Sequence, residues 1–409
     1  MHFGELGIYA VLFLALYFEV FLFITFLERK PAGKTADRPA RFPTVSIIVP
    51  CFNEEKTLAA TMRSLFALDY PREKLSIVIV DDGSTDGTLK VAESFCGHEQ
   101  VSIISKKNGG KYTALNLAIE RCTSELVGCL DADSLAAPDA LLEIVKKFEE
   151  DQEVMAVMPS IRVYNPKNPL ELMQAVEYTF GIFYKKMFDT LSAISVLPGP
   201  LSIYRRSSFE TTGMFRHAHN TEDMEMAFRM HAHHLKIANA HTAIAYTHVP
   251  RTLRALVKQR TRWSQGFLDN SKDYAYMYFN PRYGYLGLLV LPFALAMFVG
   301  SLYITGYLLV HGVRSISIRI IDFWFEGIPL HMPTIRFDWY DIDTNALLFV
   351  SCIMLFMTLA GVFLGRRFAG EGVSNKALFF YFLLYGFVAP LWLASAAWGS
   401  LRSKGAVWR

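Results

Sequence analysis

Three polar, mostly acidic clusters in the first half of the chain contain the residue types that metal and phosphate chemistry requires. They follow short apolar runs at residues 45–50, 75–80 and 125–130, and the third cluster contains Asp131 and Asp133. Paired carboxylates are hard oxygen ligands of the kind that Mg²⁺ or Mn²⁺ prefers, usually completed by water and a substrate diphosphate. One such cluster alone is more typical of a solvated turn. Three clusters after three successive runs predict a binding site.

The apolar runs alternate with helical patterns, and this alternation predicts the scaffold that positions the clusters. Residues 54–68, 88–95 and 111–121 have helical character, and Asn53 and Asp86 precede the first two as candidate caps. Buried runs that alternate with helices indicate parallel strands joined by right-handed crossovers, and hence an α/β domain. Ligands of such sheets bind beyond the carboxyl ends of the strands, where the clusters lie.

A basic turn at residues 106–111, which contains two glycines, precedes the third predicted helix. Its lysines and the helix N-terminus could hold phosphate oxygens, although an ordinary surface loop is an equal alternative. The sequence has no Gly-x-Gly-x-x-Gly fingerprint after the first run and no P-loop motif. It therefore argues against nicotinamide cofactors and P-loop chemistry.

A basic amphipathic helix is predicted at residues 251–269. Gln259, Arg262 and Trp263 are spaced i, i+3, i+4, so they share one face of that helix. On this face an indole can stack on a sugar ring while a guanidinium binds phosphate. The alternative is a plain interfacial helix at the membrane surface without a catalytic part.

The composition indicates a membrane protein. Of 409 residues, 52% are hydrophobic and only 19% are charged, against about 25% charged in typical globular chains. The net charge of +3 is too small to favour nucleic acid as a partner. The five cysteines include no CxxC pair, so neither a disulfide framework nor a zinc site is predicted.

Four apolar stretches are long enough to cross a bilayer, which takes about 20 residues. They lie at residues 6–27, 283–310, 344–365 and 377–401. Basic residues follow the first stretch: Arg29, Lys30, Lys34, Arg38 and Arg41. Basic residues also precede the fourth stretch: Arg366, Arg367 and Lys376. Acidic residues precede the third stretch: Asp338, Asp341 and Asp343. This asymmetry predicts that residues 29–282 are cytosolic and residues 311–343 lie outside.

Several features leave alternatives open. Three spans after the cytosolic region would put the tail outside, yet the tail holds Arg402, Lys404 and Arg409, and Pro390 could mark a broken or re-entrant last span. Glu19 in the first span is interpreted as a carboxyl that faces neighbouring helices rather than as a functional pair. The histidines between positions 217 and 248 match no zinc spacing and are interpreted as a solvated face, although His248 could approach the metal.

Six motifs in order across residues 44–270 resemble those of family 2 glycosyltransferases. They are Ser46-Ile-Ile-Val-Pro-Cys-Phe-Asn-Glu54, Val80-Asp-Asp-Gly-Ser-Thr-Asp-Gly-Thr88, Asn108-Gly-Gly-Lys-Tyr-Thr-Ala-Leu-Asn116, Asp131-Ala-Asp133, Thr221-Glu-Asp223 and Gln259-Arg-Thr-Arg-Trp263. The last two are similar to those of membrane-embedded members such as cellulose, chitin, hyaluronan and poly-N-acetylglucosamine synthases and ceramide glucosyltransferase. The resemblance implies a GT-A-type α/β domain with a mostly parallel sheet, inserted between one transmembrane helix before it and about three after it.

The resemblance also implies a role for each matched residue. The nucleotide-sugar side would comprise Pro50, Phe52, Glu54, Asp82, Lys111, Asp131, Gln259 and Arg260. Asp131 and Asp133 would bind Mg²⁺ or Mn²⁺, and Asp223 would be the general base, assisted by Arg262 and Trp263. The acceptor side would comprise Gly199, Pro200, Glu222 and Trp263.

These expectations combine into one main hypothesis and two alternatives. The main one is an inverting β-glycosyltransferase of the cell membrane that polymerises a sugar from a UDP-sugar into a translocated polysaccharide. One alternative transfers a single sugar to a lipid such as ceramide, diacylglycerol or polyprenyl phosphate, and the other is a sensor or transporter without turnover. The expected regions are an anchor at 1–28, a cytosolic GT-A domain at 44–250, an interface helix at 251–275 and a transmembrane region at 283–401.

Overall fold

A computed structural model describes residues 3–28, 38–326, 346–370 and 374–402. The strands are β1 (Val45–Cys51), β2 (Leu75–Asp81), β3 (Val101–Ser105), β4 (Leu126–Cys129), β5 (Ser134–Ala136), β6 (Val154–Val163), β7 (Ser202–Arg205) and β8 (Lys236–Thr247). The helices are α1 (Phe3–Glu28), α2 (Leu58–Phe66), α3 (Thr88–Glu93), α4 (Lys111–Arg121), α5 (Ala140–Glu150), α6 (Pro169–Thr190), α7 (Ser208–Thr212), α8 (Glu222–Ala232), α9 (Leu253–Asp273), α10 (Leu291–Glu326), α11 (Ala346–Ala369) and α12 (Asn375–Leu401).

The strands form one sheet in the order β3-β2-β1-β4-β7-β6-β8-β5. Strand β1 pairs parallel with β2 and β4, β2 pairs parallel with β3, and β6 pairs parallel with β8. Strand β7 pairs antiparallel with β4 and β6, and β5 pairs antiparallel with β8. The predicted mostly parallel sheet is therefore confirmed, and the three predicted runs are β1, β2 and β4. Their carboxyl ends meet at one edge because these strands run in the same direction.

Both faces of the central strands are buried, which explains why their sequences are apolar without alternation. In β1, Ile47 and Val49 pack into one core with α2 and α5, while Ile48 packs into a second core with α4 and α8. Ile77 and Val78 of β2 divide between the two cores in the same way. A fully buried side chain of this size stabilises the fold by about 1.5–3 kcal/mol, so the two cores hold the strand ends rigidly.

The first helix after β1 starts later than the sequence predicts. The prediction begins it at Glu54 with Asn53 as cap, but α2 begins at Leu58 after Thr57. Asn53 has a φ of 57° and uses its side-chain oxygen to accept from Thr85 instead. Residues 52–57 therefore form a loop, because the contact of Asn53 with a loop more than 30 residues away replaces local capping.

Four helical segments, all within the described residues, have the length and composition to cross a membrane: Gly4–Glu28, Leu286–Phe325, Leu347–Phe368 and Asn375–Leu401. They agree with the four predicted stretches except that α10 does not end near Val310. This helix has 36 residues and is therefore about 54 Å long, whereas the apolar core of a bilayer is about 30 Å thick. The predicted external acidic residues Asp338, Asp341 and Asp343 lie outside the described residues.

The last span is continuous, so the interpretation of a broken or re-entrant segment is wrong. Pro390 lies inside α12, which runs from Asn375 to Leu401 without interruption. A proline ring clashes with the carbonyl of residue i−4, and here that residue is Gly386, whose surroundings are open. The backbone can therefore adjust around the ring. Lys404 and Arg409 of the basic tail lie outside the described residues.

The chain forms two compact units. One contains residues 1–24 and 293–360, and the other contains residues 25–292 and 361–409. The predicted C-terminal region 283–401 is thus divided between the units. In the first unit, the rings of Phe18 and Phe293 stack at 3.6 Å and Glu19 is only 9% exposed, in agreement with a carboxyl that faces protein.

Helices α6, α9 and α12 of the second unit pack against one another around an apolar cluster. Met173 of α6 and Leu256 of α9 are fully buried there beside Val388 and Trp392 of α12. Helix α9 corresponds to the predicted amphipathic helix at 251–269, with its bounds moved by a few residues. The cluster fixes α9 relative to α6, and α6 in turn packs against the sheet domain.

Candidate active site

The loops after β1 and β2 are bound to each other at the carboxyl edge of the sheet. The Asn53 side-chain oxygen accepts from the backbone N–H of Thr85 at 2.9 Å, and the backbone N–H of Glu54 donates to the Thr88 hydroxyl at 2.7 Å. The predicted nucleoside residues of this segment lie at the end of β1 or in its loop: Pro50, Phe52 and Glu54. The two segments thus form one wall of the candidate site.

The buried carboxylate of Asp82 organises the glycine turn before α4. Its Oδ1 accepts from the Lys106 ammonium and from the backbone N–H of Gly109, and its Oδ2 accepts from the N–H of Gly110 at 2.8 Å. Gly110 has a φ of +91°, a conformation that suits glycine. A carboxylate has about four acceptor positions, so Oδ2 keeps one for a further donor such as a base N–H.

Lys111 joins two motifs that are far apart in the sequence. As the first residue of α4, it places its ammonium 2.6 Å from Asp131 and 3.1 Å from Glu222. Burial lowers the pKa of Lys111, but the two carboxylates outweigh this effect and hold the pKa well above its ordinary value. Lys111 therefore stays charged and holds the acidic strand-end motif against the start of α8.

Asp133 is a carboxylate in a negative environment. Burial, then the carboxylates of Asp131 and Glu54, raise its pKa to about 6, and the Ser134 hydroxyl donates to it at 3.1 Å. His248 lies nearby, since its Nδ1 is 2.8 Å from the backbone oxygen of Asp133. Converging carboxylates repel one another, and a divalent cation relieves that repulsion.

These residues fit a divalent metal that is shared with a ligand. In the described ranges, no group of three histidine, cysteine or acidic side chains is arranged to hold a metal by itself. Mg²⁺ is typically bound by one or two protein carboxylates, with water and substrate phosphates completing its shell. The Asp131–Asp133 pair meets that requirement, and its donors are oxygens of the correct type.

Glu222 and Asp223 open α8 beside the Lys111 ammonium. Burial alone raises the pKa of Glu222, but Lys111 outweighs it and the pKa is lowered. Burial and the neighbouring Glu222 carboxylate raise the pKa of Asp223 to about 6, against the opposing effects of Lys111 and Arg262. Adjacent carboxyls with separated pKa values are typical of acid–base sites, and the higher one can accept a proton near neutral pH.

Gly199 packs directly against the charged cluster. A Cβ atom at this position would lie 2.4 Å from Oδ2 of Asp131 and 2.6 Å from the Lys111 ammonium. Pro200 beside it is buried, and the backbone N–H of Leu197 donates to the carbonyl of Asp223 at 3.3 Å. Only glycine fits here, because the backbone must approach the ion pair closely.

Helix α9 contacts the start of α8 through small and polar residues. A Cβ at Gly266 would lie 2.3 Å from the Thr221 side chain, and the Asn270 amide donates to the Thr221 hydroxyl at 2.9 Å. Arg262, on the same helix, lowers the pKa of Asp223. Gln259 has a buried side-chain oxygen without a hydrogen-bond partner among the residues described. The helix with the Gln-x-x-Arg-Trp motif therefore lies against the predicted base.

Arg260 does not face an open site. Its guanidinium is 3.0 Å from the Glu177 carboxylate of α6 and lies over the Trp263 ring at 4.3 Å, and the residue is only 7% exposed. One terminal nitrogen and one face of this guanidinium are therefore occupied, while its buried Nε has no hydrogen-bond partner among the described residues. The nucleotide contact of Arg260 stays a prediction beside these observed contacts.

Helix α6 contributes residues that the sequence analysis missed. Tyr178 and Lys185 are seven residues apart and share a face, and Gly181 between them has open space where a Cβ would stand. Lys185 is half-buried, forms no ion pair or hydrogen bond with the described residues, and has its pKa lowered to about 8 by burial, with Asp223 opposing. The available signal was a row of polar residues on an otherwise apolar helix.

The histidines form no common site in the described part of the chain. His219 pairs with Asp273 at 2.9 Å, His231 contacts the Ile194 carbonyl at 2.7 Å and His234 stacks on Tyr283. All five cysteines are free. These three histidines therefore have separate partners in different parts of the fold.

Comparison with known proteins identifies the sheet domain. The sequence profile described as "Glycosyl transferase family 2" matches residues 46–213. Poly-beta-1,6-N-acetyl-D-glucosamine synthase of Staphylococcus epidermidis is 28% identical over 272 residues, which cover 65% of this chain and 66% of that protein. The enzyme of the same name from Staphylococcus aureus strain COL is 30% identical over 224 residues, 54% of either chain. The chain thus spans less than two thirds of the length of these relatives.

The fold is also shared with a solved structure. A mannosyltransferase from Pyrobaculum calidifontis, solved in complex with GDP-Man and Mn²⁺, superposes with a TM-score of 0.65 at 20% identity. The superposition covers 98% of this chain and 99% of the other. The sheet domain is thus similar in sequence to family 2 glycosyltransferases over residues 46–213, and the described part of the chain adds four apolar helices of membrane-spanning length.

Proposed function

We propose that the chain is an inverting β-glycosyltransferase that polymerises a sugar from a UDP-sugar donor into a polysaccharide. One observation carries the proposal: Lys111 binds both Asp131 and Glu222, with Gly199 packed against the pair, so the donor, base and acceptor motifs converge at one site. The names of the staphylococcal relatives favour N-acetylglucosamine as the sugar and a β-linked polymer as the product.

Donor binding is assigned to the wall formed by the loops after β1 and β2. Pro50, Phe52 and Glu54 line it, and the free acceptor position of Asp82 would receive the uracil N–H. Lys111 and Arg262 would stabilise the negative diphosphate that forms as the sugar leaves. The buried side-chain oxygen of Gln259, which has no partner within the described part of the chain, would accept a hydrogen bond from a hydroxyl of the donor sugar.

A divalent metal is assigned to Asp133, with Asp131 beside it. When bound, Mg²⁺ or Mn²⁺ would neutralise charge on the two phosphates of the donor. The chain's own contribution is a negative pocket, because Asp131 and Glu54 raise the pKa of Asp133 and a cation counters both. The role of Lys111 is to hold Asp131 in place through the 2.6 Å contact.

Asp223 is assigned as the general base. The acceptor hydroxyl is a poor nucleophile at neutral pH, so a carboxylate must take its proton as it attacks the anomeric carbon. The carboxylate receives that proton, the new glycosidic bond forms, and the bond to the diphosphate breaks with its electron pair leaving on the phosphate oxygen. One base and one displacement invert the anomeric carbon, so an α-linked donor yields a β-linkage.

The acceptor side is assigned to Trp263, Glu222 and the Gly199–Pro200 segment. An aromatic face holds successive sugar rings of a polymer equally well, which suits repeated transfer. On α6, a Cβ at Gly181 would meet open space, and the charge of Asp223 acts on the pKa of Lys185, so this helix would extend the acceptor side. A lipid acceptor that receives one sugar is the alternative, and product size distinguishes the two.

Gly199→Ala is expected to lower the transfer rate by about 10-fold or more. The new methyl would collide with the Asp131 carboxylate and the Lys111 ammonium, and overpacking of this kind costs about 1–3 kcal/mol. UDP release with a saturating donor measures the effect. Gly97→Ala is the matched control, because a Cβ there meets nothing within 4 Å. Equal activity of the two variants would refute the close approach.

The catalytic domain is proposed to be cytosolic, where nucleotide sugars are made. The basic residues between the first span and the domain support this orientation. A cysteine introduced near Asp338 should react with an impermeant thiol reagent in intact cells, whereas one at Thr88 should react only after permeabilisation. The opposite labelling pattern would deny the site its donor and contradict the mechanism.

Release of UDP tests the proposed activity. The protein in nanodiscs is offered UDP-N-acetylglucosamine, UDP-glucose, UDP-glucuronate and GDP-mannose with Mg²⁺ or Mn²⁺. The proposal expects UDP release with one of the UDP-sugars, with UDP-N-acetylglucosamine first. Release of GDP alone would favour a mannosyltransferase that uses GDP-mannose, and release of neither nucleotide would favour a protein without turnover.

A further inference from the structure

We propose that Arg260, held by Glu177 of α6, is a positioning residue that fixes the Trp263 indole at the acceptor side of the site. This inference rests on the proposed function, because it treats Trp263 as the platform for the acceptor sugar. It gives Arg260 a role distinct from the nucleotide contact expected from the sequence.

The contacts of Arg260 define its geometry. The guanidinium carbon lies 4.3 Å from the centre of the Trp263 ring, one helical turn further along α9. Nη2 of the same group is 3.0 Å from Oε2 of Glu177, and the guanidinium carbon is 5.7 Å from the centre of the Tyr178 ring. The guanidinium thus contacts the indole on one side and α6 on the other.

This arrangement restricts the indole more than an apolar neighbour would. A planar guanidinium attracts the face of an indole through the ring quadrupole, and the attraction is stronger where water is excluded. Arg260 is only 7% exposed, so its interactions are poorly screened. Since the guanidinium lies over one face of the indole, an acceptor sugar would have to use the other face.

The Glu177 carboxylate fixes the guanidinium in turn. Burial raises the pKa of Glu177, and the charge of Arg260 opposes that effect. The charged form of Glu177 therefore depends on Arg260. The Glu177 side chain is 24% exposed, and an ion pair between packed helices commonly gives no more stability than an apolar pair of equal size. Its distinctive property is direction, because the bond from Nη2 to the carboxylate and the Tyr178 and Trp263 rings together restrict the guanidinium.

Helices α6 and α9 also connect the ion pair to the last membrane span, α12. Met173 of α6 and Leu256 of α9 share one apolar cluster with Val388 and Trp392 of α12. Glu177 lies one turn beyond Met173, and Arg260 lies one turn beyond Leu256. The packing of the last span therefore sets the separation of the two charged residues, and through them the position of the acceptor platform.

Paired variants distinguish positioning from simple stabilisation. Arg260→Met leaves Glu177 without its partner and is expected to reduce both stability and chain extension, the latter by about 10-fold. The double variant Glu177→Gln with Arg260→Met removes both charges, so its melting temperature should return toward that of the wild type. Its product should nevertheless remain short, because Trp263 still lacks the guanidinium.

Controls exclude a general charge effect and a nucleotide contact. Lys258→Met removes a cation from an exposed position of the same helix and should leave product length and rate unchanged. Arg260→Lys should restore charge but only part of the product length, since an ammonium lacks the planar face. The KM for the donor should stay within about twofold of wild type in every variant, whereas a large rise would assign Arg260 to the nucleotide instead.

A measurement without substrate separates this inference from the proposed function. Acrylamide quenching attributable to Trp263 is the difference between each protein and its Trp263→Phe counterpart. Loss of the guanidinium should increase that quenching in the double variant, whether or not a polymer is ever made. Unchanged quenching, or full product length in the stable double variant, would overturn the positioning role.

Discussion

Asp133→Asn is expected to abolish measurable transfer and to weaken donor binding in the presence of Mg²⁺ or Mn²⁺. The amide keeps the shape of the carboxylate but removes the charge that the metal requires. Loss of an outer-shell partner alone lowers metal affinity or activity by about 10 to 100-fold, so loss of a direct ligand should exceed that range. UDP release and donor affinity, each with and without metal, measure the two effects.

Asp139→Asn provides a matched control for this prediction. Asp139 is exposed, precedes α5 and makes no side-chain cap contact, so its amide variant should retain full activity. The wild type should lose activity in excess chelator and regain it when metal is returned. Transfer that persists in chelator, or that survives the loss of the Asp133 charge, would show that this carboxylate holds no catalytic metal.

Asp223→Asn is expected to lower the transfer rate on the order of 10² or more while the donor still binds within a few fold of wild type. The substitution removes the proton acceptor but leaves the nucleotide wall intact. If donor affinity falls together with the rate, Asp223 belongs to the nucleotide site. Transfer assays and equilibrium binding of the UDP-sugar separate the two results.

The pH dependence gives Asp223 a second signature. The base must be ionised to act, and burial with the Glu222 charge raises its pKa to about 6. The transfer rate should therefore rise as the pH passes about 6 and fall below that value, and the residual rate of Asp223→Asn should lack this limb. Because the pKa of Asp133 is also raised to about 6, the profile is measured at saturating metal. If the rising part of the pH–rate profile shifts with metal concentration, it reports the titration of Asp133 rather than of Asp223.

The sheet and the sequence of motifs could be predicted because they depend on local patterns. Apolar runs of strand length predicted β1, β2 and β4. The rule that ligands bind at the carboxyl ends of parallel strands predicted that Asp82 and Asp131 lie at one edge of the sheet. Helix α4 matches its predicted bounds, because a glycine precedes it and the chain changes direction after Arg121.

Contacts between distant segments could not be predicted from the sequence. Lys111 was expected on the nucleotide-sugar side, and the sequence did not predict its ion pairs with Asp131 and Glu222. The contact of Arg260 with Glu177 was equally unpredictable, since Glu177 precedes it by more than 80 residues. The hydrophobic periodicity of a helix does not predict which charged residue it will contact in the folded protein.

Backbone conformation explains the remaining differences. A left-handed Asn53 delays the start of α2, and an open Gly386 lets α12 continue through Pro390. Both outcomes depend on space in the folded chain, whereas propensity rules consider only neighbours along the sequence.

The size of the product tests the central claim most directly. The protein in nanodiscs is incubated with the UDP-sugar that supports turnover, and the product is separated by electrophoresis and weighed by mass spectrometry. Repeated transfer on the Trp263 side of the site predicts a ladder or a high-mass β-linked polymer. A lipid that carries a single sugar, with no longer species, would contradict the synthase and identify a single-transfer enzyme.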